Sequence, residues 1–370
     1  METLTGYTTG VYAAAAARAA TRMLLTGEKK EKEKVVLPSG EVAMITILSV
    51  GAGDNLARSS VIKKPSNDAD VTNGIRISVT AKLLDIEDRD RILVRGGNGV
   101  GIVTLPGLKI EVGKHAINPV PLQMIDSGVR ELIKVLKTDR SIELTIAAQN
   151  GEKIAKKTFN PKLGIIGGIS IIGTTGVVRP MSDESWKESL IPQVDMSIAA
   201  GFRGMILTFG NLGEKAACSY GFSKLQIVQM SNFVGFMLDA CIKRDVEKVF
   251  LIGHLGKMIK IANGRLDTHS RRAKQDLSMI IAFAKEEGFP VSRIIDLSAA
   301  KSGEAVISAL GSGGGIIIDK VAKNAGDRIS DHVARKMKVA VAITDLSGKI
   351  VGCEDEARAI LKEPSKWGRS

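Results

Sequence analysis

Apolar positions in the first part of the chain follow a helical spacing only once before they begin to alternate. An alanine-rich run behind two threonines predicts a first helix that begins near Thr8 or Thr9 and is closed by Gly27. A second helix is expected at residues 125–136. Turn residues 149–151 followed by residues 152–159 are typical of a β-hairpin. Alternating or β-branched stretches predict strands at residues 42–48, 75–81, 92–94 and 142–148.

From about Gly164 onward, short apolar runs alternate with amphipathic segments of helical length, which is the pattern of a mostly parallel sheet covered by helices. Strands are predicted at residues 164–172, 204–208, 248–252, 293–296, 315–318 and 339–343. Helices are predicted at residues 183–199, 232–243, 270–287 and 320–337. The change of pattern divides the chain into an α+β domain, residues 1–162, and an α/β domain, residues 163–370.

Charge and composition narrow the class of partner. The chain of 370 residues carries a net charge of +12 and has a sequence pI near 9.5. This favours a polyanion, which is a nucleic acid, an acidic lipid surface or a small ligand with many carboxylates. Aromatic residues make up only 4%, and the basic residues are dispersed, so a nucleic-acid partner is disfavoured.

Targeting signals and metal-binding patterns are weak in this sequence. Apolar runs are too short to span a membrane, and no basic leader precedes the apolar run at residues 11–17, so we expect a cytoplasmic protein without a membrane partner. Three cysteines without CxxC spacing argue against disulfides and zinc clusters. They are expected to be buried, reduced thiols.

Two glycine-rich segments lack the spacing of known phosphate-binding loops. Residues 96–101 read GGNGVG and residues 311–315 read GSGGG, and neither has the spacing of a dinucleotide or P-loop motif. Both are interpreted as tight turns. Thr-Thr-Gly occurs twice, at residues 8–10 and 174–176, where free amides and hydroxyls could hold a carboxylate. The first copy is equally well explained by helix capping, whereas Pro180 makes a binding loop the better interpretation of the second.

The densest polar cluster follows the strand predicted to end at Ile252. Two of the four histidines lie here, on the side where parallel strands place ligands, so a functional role is favoured over a structural one. The two histidines lack a third ligand at suitable spacing, and no zinc site is predicted. The members of the cluster are Gly253, His254, Leu255, Gly256, Lys257, Lys260, Asn263, Gly264, Thr268, His269, Ser270 and Arg271.

Three further polar residues are candidates for binding a ligand. Asp296 follows an apolar run and could accept hydrogen bonds from a ribose diol, although a solvated surface carboxylate is the better explanation. Asn211 follows a predicted strand. Asn232 begins a predicted helix and is equally well explained as its N-cap.

Taken together, these segments resemble one family, the cobalt-precorrin-5B C1-methyltransferases known as CbiD proteins. The resemblance spans most of the chain. It is carried by Gly6-Tyr7-Thr8-Thr9-Gly10, Asp70-Val71-Thr72, Gly99-Val100-Gly101, Ala116-Ile117-Asn118-Pro119, the run from Gly167 and Gly168 through Gly173-Thr174-Thr175-Gly176, Ser231-Asn232-Phe233, Gly253-His254-Leu255-Gly256-Lys257 and Thr268-His269-Ser270.

The resemblance implies methyl transfer from S-adenosylmethionine to carbon 1 of cobalt-precorrin-5B, which gives cobalt-precorrin-6A on the anaerobic route to cobalamin. It also implies an α+β domain joined to a Rossmann-like one, with no protein-bound metal because the cobalt belongs to the substrate. Homo-oligomerisation is left open. A basic RNA-binding protein and a nicotinamide-dependent reductase of the same pathway remain the alternatives.

Site residues are assigned on the same basis. His254 is the candidate for handling a proton or orienting the substrate. The Thr174-Thr175-Gly176 loop and the segment from His254 to Lys257 are expected to line one crevice. The candidates for substrate or cofactor binding are Thr8, Thr9, Gly10, Gly168, Gly173, Thr174, Thr175, Gly176, Asn211, Asn232, Gly253, Gly256, Lys257, Lys260, Thr268, His269 and Ser270.

Overall fold

The structure is a computed structural model that describes residues 6–53, 55–65, 70–84, 91–178, 182–272 and 275–368. The chain divides into two compact units, Met1–Asp183 and Glu184–Ser370. The boundary expected after residue 162 lies inside the first unit, because the chain beyond it still pairs with earlier strands. Ile165–Ile166 pairs with Ile102–Val103, and Gly168–Ile169 pairs with Gly99–Val100.

The first unit mixes helices with several small sheets. Its elements are β1 (Gly6–Tyr7), α1 (Thr9–Thr26), β2 (Lys32–Val36), β3 (Val42–Thr46), β4 (Ser49–Gly53), β5 (Leu56–Ile62), β6 (Arg76–Leu84), β7 (Ile92–Gly96), β8 (Gly99–Val100), β9 (Ile102–Val103), α2 (Pro119–Val135), β10 (Ser141–Ala148), α3 (Gly151–Ala155), β11 (Ile165–Ile166), β12 (Gly168–Ile169) and β13 (Val177–Val178). The largest sheet has the order β4-β5-β6-β10-β7, and only β10 and β7 run parallel within it.

Helix α1 forms the core of this unit together with the sheet. Its residues from Thr9 to Arg22 are all buried, and alanine at half of these positions lets the helix lie close to β5 and β6. The hydroxyl of Ser59 on β5 donates to the carbonyl of Ala16 at 2.5 Å. As predicted, the helix ends at Gly27, which adopts a left-handed conformation with φ of 70°.

The expected hairpin at residues 149–159 is wrong. Asn150 adopts a left-handed conformation that ends β10, and Gly151–Ala155 then forms the short helix α3. The helix lies against β8 and β12, where glycine is required at the contact. A Cβ atom on Gly151 would lie 2.1 Å from the carbonyl oxygen of Gly99, so only glycine allows this approach.

The second unit contains one five-stranded sheet with helices. Its elements are α4 (Asp183–Ala199), which begins at the boundary, β14 (Gly204–Thr208), α5 (Asn211–Ser219), β15 (Ile227–Gln229), α6 (Val234–Ile242), β16 (Lys248–His254), α7 (Leu255–Ala262), α8 (Ser278–Glu286), α9 (Val291–Ala299), α10 (Gly303–Leu310), α11 (Gly315–His332), β17 (Lys338–Thr344), β18 (Ile350–Cys353) and α12 (Asp355–Lys362). The strand order is β15-β14-β16-β17-β18; the first four strands are parallel, and β18 is antiparallel to β17.

Two predicted strands in this unit are helical instead. Residues 293–296 belong to α9 and residues 315–318 to α11. In α11, Ile317, Val321 and Ala325 are spaced four residues apart and are fully buried on one helix face. Helical spacing over 18 residues therefore overrides the strand pattern of the short β-branched run at its start. Strands β15 and β18 were not predicted because each is too short to show alternation.

Helix ends also differ from the prediction. The helix expected at residues 270–287 begins only at Ser278. The amide of Ser278 donates a hydrogen bond to the carboxylate of Asp276. Among the described residues, no helix combines the length and apolar character needed to cross a membrane. The three cysteines are unpaired; Cys241 and Cys353 are buried, as expected, whereas Cys218 is only half-buried.

A half-buried carboxyl group at the start of α12 generates a testable pH dependence. Burial raises the pKa of Glu354 to about 7, and the neighbouring carboxylates of Glu356, Asp327 and Asp355 act in the same direction. The unfolded carboxyl titrates near 4.5, so the folded state retains a proton between these values and loses stability as the pH rises from about 4.5 to 7. Glu354→Gln should remove this slope and stabilise the protein at pH 8.

Thermal midpoints between pH 4.5 and 8 check this prediction. Glu188→Gln, at an exposed position on α4, is the matched control and should keep the slope of the unaltered chain. Identical slopes for Glu354→Gln and the unaltered chain would show that this carboxyl group does not control the pH dependence.

Candidate functional site

The two Thr-Thr-Gly motifs come together in the first unit. Strand β1, just before the first motif, pairs with β13, just after the second. The amide of Thr8 donates to the carbonyl of Gly176 at 2.9 Å, and the amide of Gly10 donates to the carbonyl of Ile172 at 2.9 Å. The first motif therefore connects the start of the chain to the segment that precedes and contains the second.

Thr9 provides most of the side-chain contacts at this junction. Its buried hydroxyl accepts the amide of Ile172 at 2.9 Å and lies 3.3 Å from the carbonyl of the same residue. Glycine at position 10 is needed because a Cβ atom there would lie 2.8 Å from the ring of Pro121. The amide of Gly10 and the hydroxyl of Thr9 are thus already used in the fold, which favours a structural role for them.

Thr8 differs from Thr9. Its hydroxyl makes no capping hydrogen bond to α1, and within the described part of the chain its buried Oγ1 has no hydrogen-bond partner. Gly173 packs directly against it, since a Cβ atom on Gly173 would lie 2.3 Å from Thr8 Oγ1. Capping does not explain Thr8.

The second motif presents its side chains to solvent. Thr174 and Thr175 are exposed, and the hydroxyl of Thr175 donates to the carbonyl of Val177 at 3.1 Å. Gly168 lies elsewhere in this unit, and its role is steric because a Cβ atom there would lie 2.2 Å from the backbone of Gly99. Pro180 and Met181 fall outside the described residues. Within this group, the exposed loop is the part suited to bind a ligand.

In the second unit, His254 ends β16 and caps α7. Its Nδ1 accepts the amide of Gly256 at 3.2 Å, and its Nε2 lies 2.9 Å from the carboxylate of Glu304. Because Nδ1 accepts, a neutral ring carries its proton on Nε2 and donates it to Glu304. Both nitrogens are thereby engaged in holding the start of α7, and the catalytic role of His254 stays a prediction.

Two lysines on α7 converge on one carbonyl. Lys257 Nζ and Lys260 Nζ lie 3.2 and 3.0 Å from the carbonyl oxygen of Thr268, and Lys257 also donates to the side chain of Asn232 at 2.5 Å. Among the described residues, neither ammonium group has a carboxylate as ion-pair partner. Asn232 is not the N-cap of α6, which begins at Val234. Its side-chain oxygen instead accepts a hydrogen bond from Lys257.

The surroundings of the lysine pair disfavour its positive charge. Burial lowers the pKa of Lys257 and Lys260, and the mutual repulsion adds to the effect at Lys257. The nearby carboxylate of Asp267 opposes both shifts. Two partly desolvated positive groups that share one neutral acceptor are chemically suited to a carboxylate.

The rest of the predicted cluster stabilises local turns. His269 accepts the amide of Arg271 through Nδ1 at 3.2 Å and donates its own amide to Asp267, while Ser270 is exposed. Within the described residues, no group of three or more potential metal ligands is found. Gly253 is required for packing because a Cβ atom there would lie 2.4 Å from the ring of Phe209.

Sequence reasoning missed three polar residues beside these candidates: Glu214, Gln229 and Glu304. Gln229 donates to Asn211 at 3.1 Å and to Glu214 at 2.5 Å, so Asn211 belongs to a side-chain network at the start of α5. Gln229 ends β15, a strand too short to be predicted, and Glu304 comes from a distant helix. Asp296 lies exposed on α9 and not at a strand end, which agrees with the preferred interpretation as a solvated surface carboxylate.

The Thr174-Thr175-Gly176 loop belongs to the first compact unit and the segment from His254 to Lys257 to the second. The shared crevice expected from the sequence stays a prediction.

Comparison with known proteins gives matches along nearly the whole chain. Residues 1–180 match the CbiD family model, and residues 267–355 match the model of the CbiD C-terminal domain. Two relatives named cobalt-precorrin-5B C(1)-methyltransferase are each 39% identical. The protein from Desulfitobacterium hafniense is matched over 98% of this chain and 93% of its own length, and the protein from Moorella thermoacetica over 98% and 97%.

A solved structure is also similar in sequence. It is the crystal structure of a cobalamin biosynthesis protein (cbiD) from Archaeoglobus fulgidus, which is 28% identical and covers 77% of this chain and 84% of its own. The TM-score of the comparison is 0.39.

The two neighbouring threonines allow a direct test of the junction. Thr9→Val should lower the free energy of unfolding by roughly 1–3 kcal/mol, because the buried amide of Ile172 loses its acceptor. Thr8→Val should change it by less than about 0.5 kcal/mol, because the Thr8 hydroxyl has no described partner to lose. Urea unfolding measures both variants, and equal losses would contradict the assignment.

Proposed function

The chain belongs to the CbiD family, and from this premise we propose that it transfers the methyl group of S-adenosylmethionine to carbon 1 of cobalt-precorrin-5B. The products are cobalt-precorrin-6A and S-adenosylhomocysteine, on the anaerobic route to cobalamin. The observation that carries this proposal is the 39% identity to relatives named for this reaction, over 98% of the chain. No relative named above supports an RNA-binding protein or a nicotinamide-dependent reductase.

The lysine pair gives the substrate a docking point. Cobalt-precorrin-5B carries several acetate and propionate arms, and one such carboxylate would satisfy the positive charge that Lys257 and Lys260 hold near Thr268. Lys257 donates to Asn232 in the loop after β15, so the sheet fixes the position of this ammonium group. We assign the substrate arm to this pair. The net charge of +12 would attract a polycarboxylate over longer distances.

The second unit is suited to the methyl donor. Its four parallel strands with connecting helices support classification as a Rossmann-like unit, in which nucleotides bind at the carboxyl ends of the strands. The donor supplies an activated methyl group, so the protein needs no nucleophilic serine or cysteine. Its residues instead have to hold the two reactants in line and exclude water, which is worth several kcal/mol of the barrier.

The remaining candidates are assigned by exposure. Thr174 and Thr175 offer exposed hydroxyls to a ligand. Thr9 and Gly10 position their loop through hydrogen bonds to the backbone of Ile172. His254, held by Glu304, orients the start of α7 and with it Lys257. We expect the enzyme to work in the cytoplasm, without a resident metal because the cobalt enters with the substrate. Homo-oligomerisation stays open.

Mass analysis tests the reaction itself. Anaerobic incubation of the purified chain with S-adenosylmethionine and cobalt-precorrin-5B should add one methyl group in place of a hydrogen to the tetrapyrrole. The gain should require both the protein and the donor. An intact substrate after incubation with folded protein would contradict the proposed function, and retention of NADPH or RNA would then favour one of the alternatives.

The lysine pair predicts a defect in binding more than in turnover. Lys257→Gln should raise the KM for cobalt-precorrin-5B by about tenfold or more, with a smaller change in kcat, because a charge-assisted bond to the substrate is lost. Lys243→Gln removes one charge at an exposed site at the other end of the sheet and should leave the KM unchanged.

The same pair sets an expected pH dependence. The lysines must be protonated to bind a carboxylate, and burial lowers their pKa below the usual 10.5. The KM of the unaltered enzyme should therefore rise as the pH increases through the alkaline range below 10.5.

A KM for cobalt-precorrin-5B that is the same for Lys257→Gln and Lys243→Gln would show that the substrate arm binds elsewhere.

A further inference from the structure

Three segments of the first unit meet at one end of the large sheet and line a surface cavity of about 400 Å³. Strand β6 begins there at Arg76 and the antiparallel β10 ends there at Ala148, and the amide of Gln149 donates to the carbonyl of Arg76 at 2.9 Å. The third segment is the glycine-rich turn after β7, where the backbone carbonyl of Asn98 accepts the amide of Ala148 at 2.9 Å. Strand pairing therefore builds the cavity from residues that lie far apart in the sequence.

The glycine-rich segment of residues 96–101 forms one wall of this cavity. A Cβ atom on Gly99 would lie 2.0 Å from the carbonyl oxygen of Ala148, so the turn touches the end of β10 directly. Gly99 also has a φ of 79°, a left-handed conformation that favours glycine. The turn thus places Asn98 on the same cavity as Arg76.

Polar side chains that the fold does not use line this cavity. Arg76 and Ser78 alternate with the buried Ile77 along β6, so they point away from the core that the sheet forms with α1. Within the part of the chain that the structure describes, six polar lining residues have no side-chain hydrogen bond and no ion pair. They are Arg76, Ser78, Asn98, Gln149, Asn150 and Glu152.

The charges in this cavity select the kind of ligand. Arg76 supplies a guanidinium group whose planar fork can hold both oxygens of a carboxylate, and the amide groups of Asn98 and Gln149 add neutral donors. A phosphate monoester carries a charge of about −1.5 to −2 at pH 7 and would need more than one cation. Glu152 is exposed at the same cavity and disfavours a doubly charged ligand more than a singly charged one. One cation with neutral donors therefore matches a single carboxylate.

We propose that this cavity binds a carboxylate group of a ligand, with Arg76 as the charged partner and Asn98 and Gln149 as neutral donors. The carboxylate can come from two sources. One is an acetate or propionate arm of the polycarboxylate macrocycle, and this source rests on the proposed function. The other is a free small carboxylate, which is independent of it. The cavity differs from the lysine pair, since Arg76 belongs to the first unit and the pair to the second.

Binding of two probes to the purified full-length chain tests the proposal. Cobalt-precorrin-5B is titrated anaerobically without a methyl donor and followed by its visible absorbance, and citrate is titrated by calorimetry. Arg76→Gln should raise the Kd of the probe that the cavity accepts by about tenfold or more, because charge-assisted hydrogen bonds are lost. Arg76 is exposed and has no described side-chain partner, so this variant should keep the thermal midpoint of the unaltered chain.

Glu152→Gln should act in the opposite direction. This variant removes the one carboxylate among the described residues that line the cavity, so the Kd of the same probe should fall by roughly twofold or more. A gain of affinity on losing a negative charge reports an anionic ligand beside this residue, which a purely structural role would not produce.

Arg140→Gln is the matched control. Arg140 is exposed immediately before β10, at the end of that strand remote from the cavity. This variant has the same net charge as Arg76→Gln, so it measures the effect of net charge alone. It should leave the Kd of both probes unchanged.

The outcomes distinguish the two sources of the carboxylate. A Kd that depends on Arg76 for cobalt-precorrin-5B alone identifies an arm of the macrocycle, and one that depends on it for citrate alone identifies a free carboxylate. Dependence of both shows that the cavity accepts either source.

Other outcomes separate the cavity from the proposed function. Failure of the unaltered chain to bind either probe, or a Kd that changes no more in Arg76→Gln than in Arg140→Gln, would overturn the carboxylate site. Methyl transfer to cobalt-precorrin-5B by the unaltered chain would still support the methyltransferase proposal in that case. Binding that depends on Arg76 without methyl transfer would contradict the proposed function alone.

Discussion

Close backbone contact between segments that lack bulky side chains is the constraint on which both units depend. In the first unit, the alanines of α1 let the helix lie directly on β5 and β6, and Gly99, Gly151 and Gly168 let three chain segments meet. In the second unit, Gly253 leaves space for the ring of Phe209 over the end of β16. A side chain at any of these glycines would force apart the segments that position the candidate site residues.

Buried charged side chains have different kinds of partner in the two units. In the first unit, Arg22 pairs with the buried Glu33 at 2.7 Å, and the fully buried Lys63 pairs with Asp70 at 3.0 Å. Such pairs satisfy each other and belong to the architecture. Among the residues that the structure describes, Lys257 and Lys260 in the second unit donate only to neutral oxygens, so a negative charge supplied from outside would stabilise them. This contrast is the physical reason for treating the lysine pair as a binding site and the others as structure.

The proposed roles divide the chemistry between charge and shape. Methyl transfer from a sulfonium needs reactants aligned in a dry pocket more than it needs an acid or base. The lysine pair would fix a carboxylate arm of the macrocycle, and the carboxyl edge of the parallel sheet would fix the donor. The lysine pair lies on α7, which follows β16, and parallel pairing brings the carboxyl ends of β14, β15 and β16 to one edge. His254 then contributes through the position of α7.

The sequence by itself determined the family, the change of architecture between the two parts of the chain, helix α1 with its closing glycine, and strands such as β14, β16 and β17. These features depend on local spacing and on ordered motifs, which the sequence displays directly. It misjudged α9 and α11, because short β-branched runs have the same composition in a strand and on a buried helix face. Only the tertiary structure decided that the two Thr-Thr-Gly motifs meet, that Asn232 holds Lys257, and that Gln229 holds Glu214. Each of these contacts joins residues that lie well apart along the chain, and their proximity follows from strand order and register, which local patterns do not encode.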